Sequence, residues 1–199
     1  MTTTAGEQTP DILTGTRLFM EAAGQLPSPG FADADIRTLR LSLLEEEFRE
    51  LLDADEHDNM VEIADALLDI IVVAWGTILA YGSYDVKLTI PPLRRDSVWV
   101  TGIGEITRIM NDYRDGESDN DEWKISVNLY RLIRAAWRTL ELYFDEKVAL
   151  QCADEVTRSN LAKIVDGKVI KHPETGKVLK PEGWTAPNIA GALADYGWA

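Results

Sequence analysis

Cysteine is almost absent from this chain: Cys152 is the only one in 199 residues. Without a second thiol there is no intrachain disulfide and no cysteine-based metal cluster, which fits a reducing compartment. Histidine is nearly as scarce. His57 and His172 are the only two, and neither has the helical Glu-x-x-His spacing that carboxylate-bridged di-iron bundles use. Basic residues are outnumbered 20 to 34, for a net charge of −14. That balance argues against binding a nucleic-acid polymer through a broad basic surface, but it leaves room for a phosphorylated small substrate whose charge a metal offsets. Long hydrophobic runs are missing too. The most apolar, Leu67 to Tyr81, contains Asp69 and falls short of the roughly 20 residues a membrane helix requires. The opening MTTTAGEQTPDI has neither a basic n-region nor an apolar h-region. The expectation is no signal peptide, no membrane partner and a cytoplasmic location.

What is present is a globular composition, 45% hydrophobic and 27% charged, in a length that suits a single domain over 1–199. The chain is organised around Leu39 to Gly82, which reads as two helices joined by a short polar loop. On the first, Leu44, Phe48, Leu51 and Leu52 recur at the spacing of one buried stripe. Glu46, Glu47 and Glu50 lie beside that stripe, with Glu47 and Glu50 one turn apart. On the second, Ile63, Leu67, Leu68, Ile70, Ile71 and Val72 form a nearly all-round apolar cylinder. Glu62, Asp65 and Asp69 run through it at spacings of three and four, as one line of carboxylates. Ionised carboxylates so close together in so apolar a wall repel one another and lose hydration, so they require a counter-cation. The expected arrangement is two acid lines facing each other across an antiparallel helix pair, with Mg²⁺ between them. Hard oxygen donors without cysteine or helical histidine select Mg²⁺ or Mn²⁺ over zinc.

Taken in order, residues 1–10 read as a polar leader and Asp11 to Ala23 as a short amphipathic helix ending near Gly24. Pro27 and Pro29 break the chain before the acidic pair, which spans 31–82. Asp33 and Asp35 are both candidate caps for its first helix, expected to run to about Asp53. Asn59 followed by Glu62 resembles a capping box for the second, an alternative role for Glu62 that cannot extend to Asp65 or Asp69. After a Pro-containing linker, residues 98–145 echo the acidic pair. Ala74-Trp75-Gly76-Thr77 and Tyr81 find counterparts in Ala136-Trp137-Arg138-Thr139 and Tyr143, a constant offset of 62. Glu47 to Asp53 can be laid over Glu105 to Asn111. Such a second copy keeps the hairpin and loses the acids: Glu50 becomes Arg108, Glu62 becomes Lys124, Asp65 becomes Val127 and Asp69 becomes Arg131. The alternative is two unrelated amphipathic helices sharing a chance AW-x-T. Two such hairpins face to face make a four-helix bundle, with Arg108, Lys124, Arg131 or Arg134 available to phosphate or to the acids.

The remainder, 146–199, begins with a helix from Glu146 through Ile164 and then changes character. Lys168 to Lys171 and Lys177 to Lys180 read as two short strands with Gly176 at the turn. From Arg158 to Glu182, the basic Arg158, Lys163, Lys168, Lys171, Lys177 and Lys180 outnumber Asp166, Glu174 and Glu182. In so acidic a chain this is either an anion-handling element or an exposed hairpin kept soluble by lysines.

Two stretches carry a family resemblance. Glu46-Glu47-Phe48-Arg49-Glu50 followed by Glu62-Ile63-Ala64-Asp65 resembles the EExxE…ExxD pattern of the all-α nucleoside triphosphate pyrophosphohydrolases. This superfamily includes MazG-type enzymes, dimeric dUTPases and phosphoribosyl-ATP pyrophosphohydrolases. Ser159-Asn160-Leu161-Ala162-Lys163 and DGKVIKHPETGKVLKPEGW resemble the SN-x-x-K and GK-x-LK-P ending of its MazG-like branch in bacteria and phages. The resemblance implies an all-α, four-helix-bundle-type fold with a small C-terminal β-hairpin. It also implies Mg²⁺-dependent hydrolysis of a (deoxy)nucleoside triphosphate between the α- and β-phosphates, in dNTP pool control. By the same analogy Glu47, Glu50, Glu62 and Asp65 are metal ligands, and Glu46 or Glu47 activates water. Asp69 is a further ligand or a substrate-side partner, and Asn160 and Lys163 meet the substrate with Lys168 or Lys180 assisting. Short relatives complete their bundle by dimerising, so a homodimer or higher homo-oligomer is implied, although the inserted segment from about 83 to 145 supplies in one chain part of what a second chain gives. The alternatives are a phosphoribosyl-ATP pyrophosphohydrolase-like enzyme and a non-catalytic nucleotide-binding helical module.

Overall fold

In the computed structural model, which describes residues 9–26, 31–82, 102–173 and 178–197, the chain forms helices over Ile12–Ala22 (α1), Ala34–Glu56 (α2), Met60–Ala80 (α3), Ile103–Asp119 (α4), Glu122–Tyr143 (α5), Glu146–Leu161 (α6) and Ile189–Ala194 (α7). Strands Ile164–Val165 (β1) and Lys168–Val169 (β2) complete the described elements. The helix starts are written in the sequence. Asp11, Asp33, Asn59, Asp121, Asp145 and Asn188 each accept a hydrogen bond from a first-turn N–H, which satisfies donors no intrahelical carbonyl can reach. Asp33, rather than Asp35, caps α2. Asn59 accepts from the Glu62 N–H at 3.3 Å.

Two helix hairpins, α2–α3 and α4–α5, pack through α3 and α5, while α1 and α6 pack on each other and on α3. α3 is therefore enclosed on nearly every side. Ile63, Leu67, Leu68, Ile70 and Ile71 are at most 2% exposed. At about 2 kcal/mol for each such side chain, their burial is large enough to offset the cost of carrying two carboxylates on the same helix, on the order of several kcal/mol per ion. The expectation that this apolar run is too short for a membrane helix needs correcting. α3 is 21 residues long with a mean hydropathy of 2.0 over its most apolar window, enough by length and composition to cross a membrane. It is the burial of most of that window inside the bundle that marks it as a core helix.

Register between α2 and α3 is fixed by a buried arginine that the sequence pattern did not single out. The Arg40 guanidinium donates to the Val73 carbonyl (2.8 Å) and the Thr77 hydroxyl (3.0 Å). Burial pulls its pKa down to about 10. Gly76 makes room for it, because a Cβ there would lie 2.5 Å from the guanidinium. At the same end of the bundle Arg37 pairs with Glu117 at 2.7 Å and with Asn120, and Tyr81 donates to Glu117 at 2.8 Å. These contacts lock the start of α2 to the end of α4 and fix which turn of α2 faces which turn of α3.

The tail departs from expectation. α6 stops at Leu161, three residues short of Ile164, because Ile164 opens a hairpin. Its turn is Asp166-Gly167, at φ 50° and 75°, the left-handed pair that Asp-Gly accepts and that matches strand twist. The expected pairing of 168–171 with 177–180 shrinks to a single bridge, Lys171 with Val178, plus the Leu179 N–H on the Ile170 carbonyl (2.7 Å). Residues 174–177 lie outside the described set, as do the Pro27–Pro29 connection and the linker after Gly82. α7, which the sequence reading missed, is capped by Asn188 and buries Ile189, Ala192 and Leu193.

Candidate active site

The antiparallel α2–α3 pair brings the two acid lines together. Glu47 on α2 has its pKa raised first by burial and then by Asp69, Glu50, Glu46 and Asp65 in decreasing order. Asp69 on α3 is raised by burial, then by Asp65 and Glu50, with Lys163 opposing. Asp65 is raised by burial, then by Glu62 and Glu50, again with Lys163 opposing. Glu47 and Glu50 thus act on Asp65 and Asp69 across one interface, while Glu46 and Glu62 act on their own helix neighbours Glu47 and Asp65. Glu47, Asp65 and Asp69 form its half-buried floor, and Glu46, Glu50 and Glu62 its exposed rim.

Among the described residues no three Asp, Glu, His or Cys side chains converge as a ready-made metal cage. The floor nevertheless fits a hard cation. Asp65 Oδ1 is the one buried side-chain oxygen or nitrogen among the described residues with no hydrogen-bond partner. An orphaned carboxylate oxygen carries the full cost of lost hydration, and among the described residues the charges acting on Asp65 are those of Glu62, Glu50 and Lys163. A donor set of this kind gains most from a divalent ion coordinated by oxygens.

The second hairpin provides an internal comparison. The laid-over positions of Glu47 and Asp69 are Glu105 and Arg131. Arg131 lies 3.5 Å from Glu105 and 3.3 Å from Asp112, and Arg108 lies 2.6 Å from Glu105. The same two helix positions meet across each hairpin. In one they make a salt bridge, and in the other two carboxylates face each other. Arg108, Lys124 and Arg131, expected to be available to phosphate or to the acidic helix, are instead engaged by Glu105, Asp112 and Asp119 of their own hairpin.

Among the described residues, the cation set against the acid floor comes from the tail. Lys163 lies just beyond the end of α6, and its ammonium donates to Asn160 Oδ1 at 2.8 Å. Burial lowers its pKa, while Asp69, Glu47 and Asp65 favour its charged form. The SN-x-x-K spacing therefore has a physical sense: Asn160 orients Lys163 one turn away. Ser159 anchors the returning chain, giving its hydroxyl to the Thr185 carbonyl (3.1 Å) and accepting the Trp184 indole N–H on its own carbonyl (2.8 Å). Lys180 acts on Lys163 and stands over the Trp184 ring. Lys168 is exposed on β2 and is not among the charges acting on Glu47, Asp65 or Asp69. Two aromatic neighbours of Lys163, Phe19 and Trp184, were not singled out in the sequence.

The part of the chain that carries the two facing lines of acids is similar to the all-α NTP pyrophosphohydrolases. Residues 16–87 match the family model described as phosphoribosyl-ATP pyrophosphohydrolase. The match covers most of α1 and the whole acidic pair, and it points to pyrophosphohydrolase activity as a class. No curated protein and no solved structure matches the chain.

Proposed function

We propose that the protein hydrolyses a nucleoside or deoxynucleoside triphosphate between its α- and β-phosphates, releasing a nucleoside monophosphate and pyrophosphate. The observation that carries this reading is the facing of Glu47 and Glu50 with Asp65 and Asp69 around an unpartnered carboxylate oxygen, with Lys163 set against them. Glu47, Glu50, Glu62 and Asp65 are the residues that would hold Mg²⁺ or Mn²⁺. When bound there, the ion supplies charge to offset that of the polyphosphate and lowers the pKa of a coordinated water. Glu46, exposed beside Glu47, accepts the proton of an attacking water whose oxygen bonds to phosphorus as the bridging P–O bond breaks and pyrophosphate leaves. Asp69 steadies Lys163, whose ammonium meets the phosphate oxygens in place of the carboxylates. Lys180, on the same side, adds to the positive potential over the substrate. The segments 31–82, 98–145 and 146–199 act as one domain, supplying the acids, the packing partner and the cationic cover. Completion of the bundle by a second copy and a role in dNTP pool control extend the same reading.

A panel of purified nucleoside triphosphates with Mg²⁺, followed by pyrophosphate release, tests the activity. Phosphoribosyl-ATP belongs in the panel, because the matching family model carries that name. Release of pyrophosphate from at least one triphosphate is expected; none from any nucleotide would leave only a binding module. Lys163→Ala is expected to raise KM by about tenfold, the loss of one charge-assisted contact to phosphate, with a smaller change in kcat. Steady-state kinetics checks it, and unchanged KM and kcat would remove Lys163 from the site.

A further inference from the structure

Beyond the acids and Lys163, the site has an aromatic end. The Lys163 ammonium lies 5.5 Å from the centre of the Trp184 ring and 6.0 Å from that of Phe19. The Lys180 ammonium lies 4.1 Å from the Trp184 ring. Trp184 comes from the tail and Phe19 from α1, so two distant segments present ring faces to one lysine. That same lysine is in electrostatic reach of Asp69, Glu47 and Asp65. Lys163 is thus shared between carboxylates and aromatic faces. A nucleoside triphosphate has matching chemistry, with a polyphosphate at one end and a flat base at the other.

The Trp184 ring is held in place. Its indole N–H is bonded to the Ser159 carbonyl. Its backbone closes a tight turn onto Pro181, with Gly183 at φ 76°, a value glycine adopts without strain. The following residues are tied to α6 through Arg158, which donates to the Thr185 hydroxyl (3.0 Å) and the Ala186 carbonyl (3.0 Å), and through Glu155, which accepts the Asn188 N–H (2.9 Å). These anchors hold a half-exposed ring in one orientation, with two ammonium groups over it. The two ammonium groups on the ring are the ends of flexible chains. Phosphate oxygens attract them more strongly than a ring face does, so a polyphosphate draws them off and leaves the ring to the base.

We infer that Trp184, which shares Lys163 with Phe19, is the surface on which the nucleotide base stacks, and hence a specificity-determining residue of the site. This rests on the nucleotide reading above. A ring face recognises area rather than a hydrogen-bond pattern, so the contact grows with the size of the base and tolerates different base edges.

The test is binding by calorimetry, with Mg²⁺, of two kinds of probe to the full chain. One is inorganic tripolyphosphate, which carries the charge and no base. The others are the α,β-imido analogues of dATP and dUTP. For whichever analogue binds the wild type more tightly, Trp184→Ala should weaken binding by about tenfold or more, the loss expected for one stacked base, while tripolyphosphate binding changes by less than about twofold. Trp184→Leu, which fills the space without a π face, should behave like alanine, and Trp184→Phe should retain most of the affinity. If alanine does not fold, the leucine–phenylalanine comparison decides. Equal losses for analogue and tripolyphosphate, or no loss for either, overturn the stacking role alone. A wild-type protein that binds neither probe overturns the nucleotide reading and this inference with it.

Discussion

Asp65→Asn and Glu50→Gln should each lower turnover by more than about 100-fold, beyond the loss typical of a mere supporting partner of a metal ligand, and weaken divalent-cation binding without unfolding the protein. The reason is local. Asp65 carries a buried oxygen that no donor satisfies, and its carboxyl is held above its ordinary pKa by burial, Glu62 and Glu50. An amide of the same shape removes a repelling charge, so the metal-free melting temperature should stay level or rise slightly. Glu50 stands on the exposed rim and acts on Glu47, Asp65 and Asp69 alike. Steady-state rates with Mg²⁺, together with melting curves with and without the ion, check both halves. Activity above about a tenth of wild type in both variants would count heavily against the assignment, because loss of a real ligand exceeds that margin.

Removing or adding the divalent ion should shift stability in a way that depends on pH. Glu47 is pushed up to about 8 and Asp69 to about 7, in each case by burial first and by neighbouring carboxylates second. In the unfolded chain both titrate near pH 4. A carboxyl whose folded pKa is raised contributes stability in full below the unfolded value and loses it as pH rises through the folded value. The metal-free protein should therefore be more stable near pH 6 than near pH 8.5 as far as these acids decide it. Protons and cations compete for the same oxygens, so Mg²⁺ should raise the melting temperature more at the higher pH. At a concentration about 100 times its dissociation constant the ion adds about 2.7 kcal/mol, a shift that scanning calorimetry resolves. Stabilisation by Mg²⁺ that is absent, or that grows as pH falls, would mean the acids do not share an ion.

The parts of the site visible in the sequence are those set by helical spacing. Glu62, Asp65 and Asp69 share a face because three and four residues make one turn, and Asn59 announces the helix that carries them. The two hairpins were legible for the same reason. What was not legible depends on contacts across the fold. Arg40 is a polar residue on a mixed stripe until Gly76, more than thirty residues on, is seen to make room for it. Arg108 and Arg131 gave no sign of which acids they would meet. Trp184 lies far along the chain from Phe19, and the two share Lys163 only because Ser159, Arg158 and Glu155 fold the tail back over α6. The hairpin turn is a different kind of miss. Asp166-Gly167 is a strong local signal, but the lysine pattern drew the strands several residues further along.

The central claim is that α2 and α3 share a divalent ion, and locating Mn²⁺ by its anomalous scattering in crystals grown with a non-hydrolysable triphosphate tests it most directly. A peak between the two helices, within bonding distance of oxygens from Glu47, Glu50, Glu62 and Asp65 and of the polyphosphate, is the expected result. A well-ordered triphosphate with no peak there, its phosphates held by side chains alone, would contradict it.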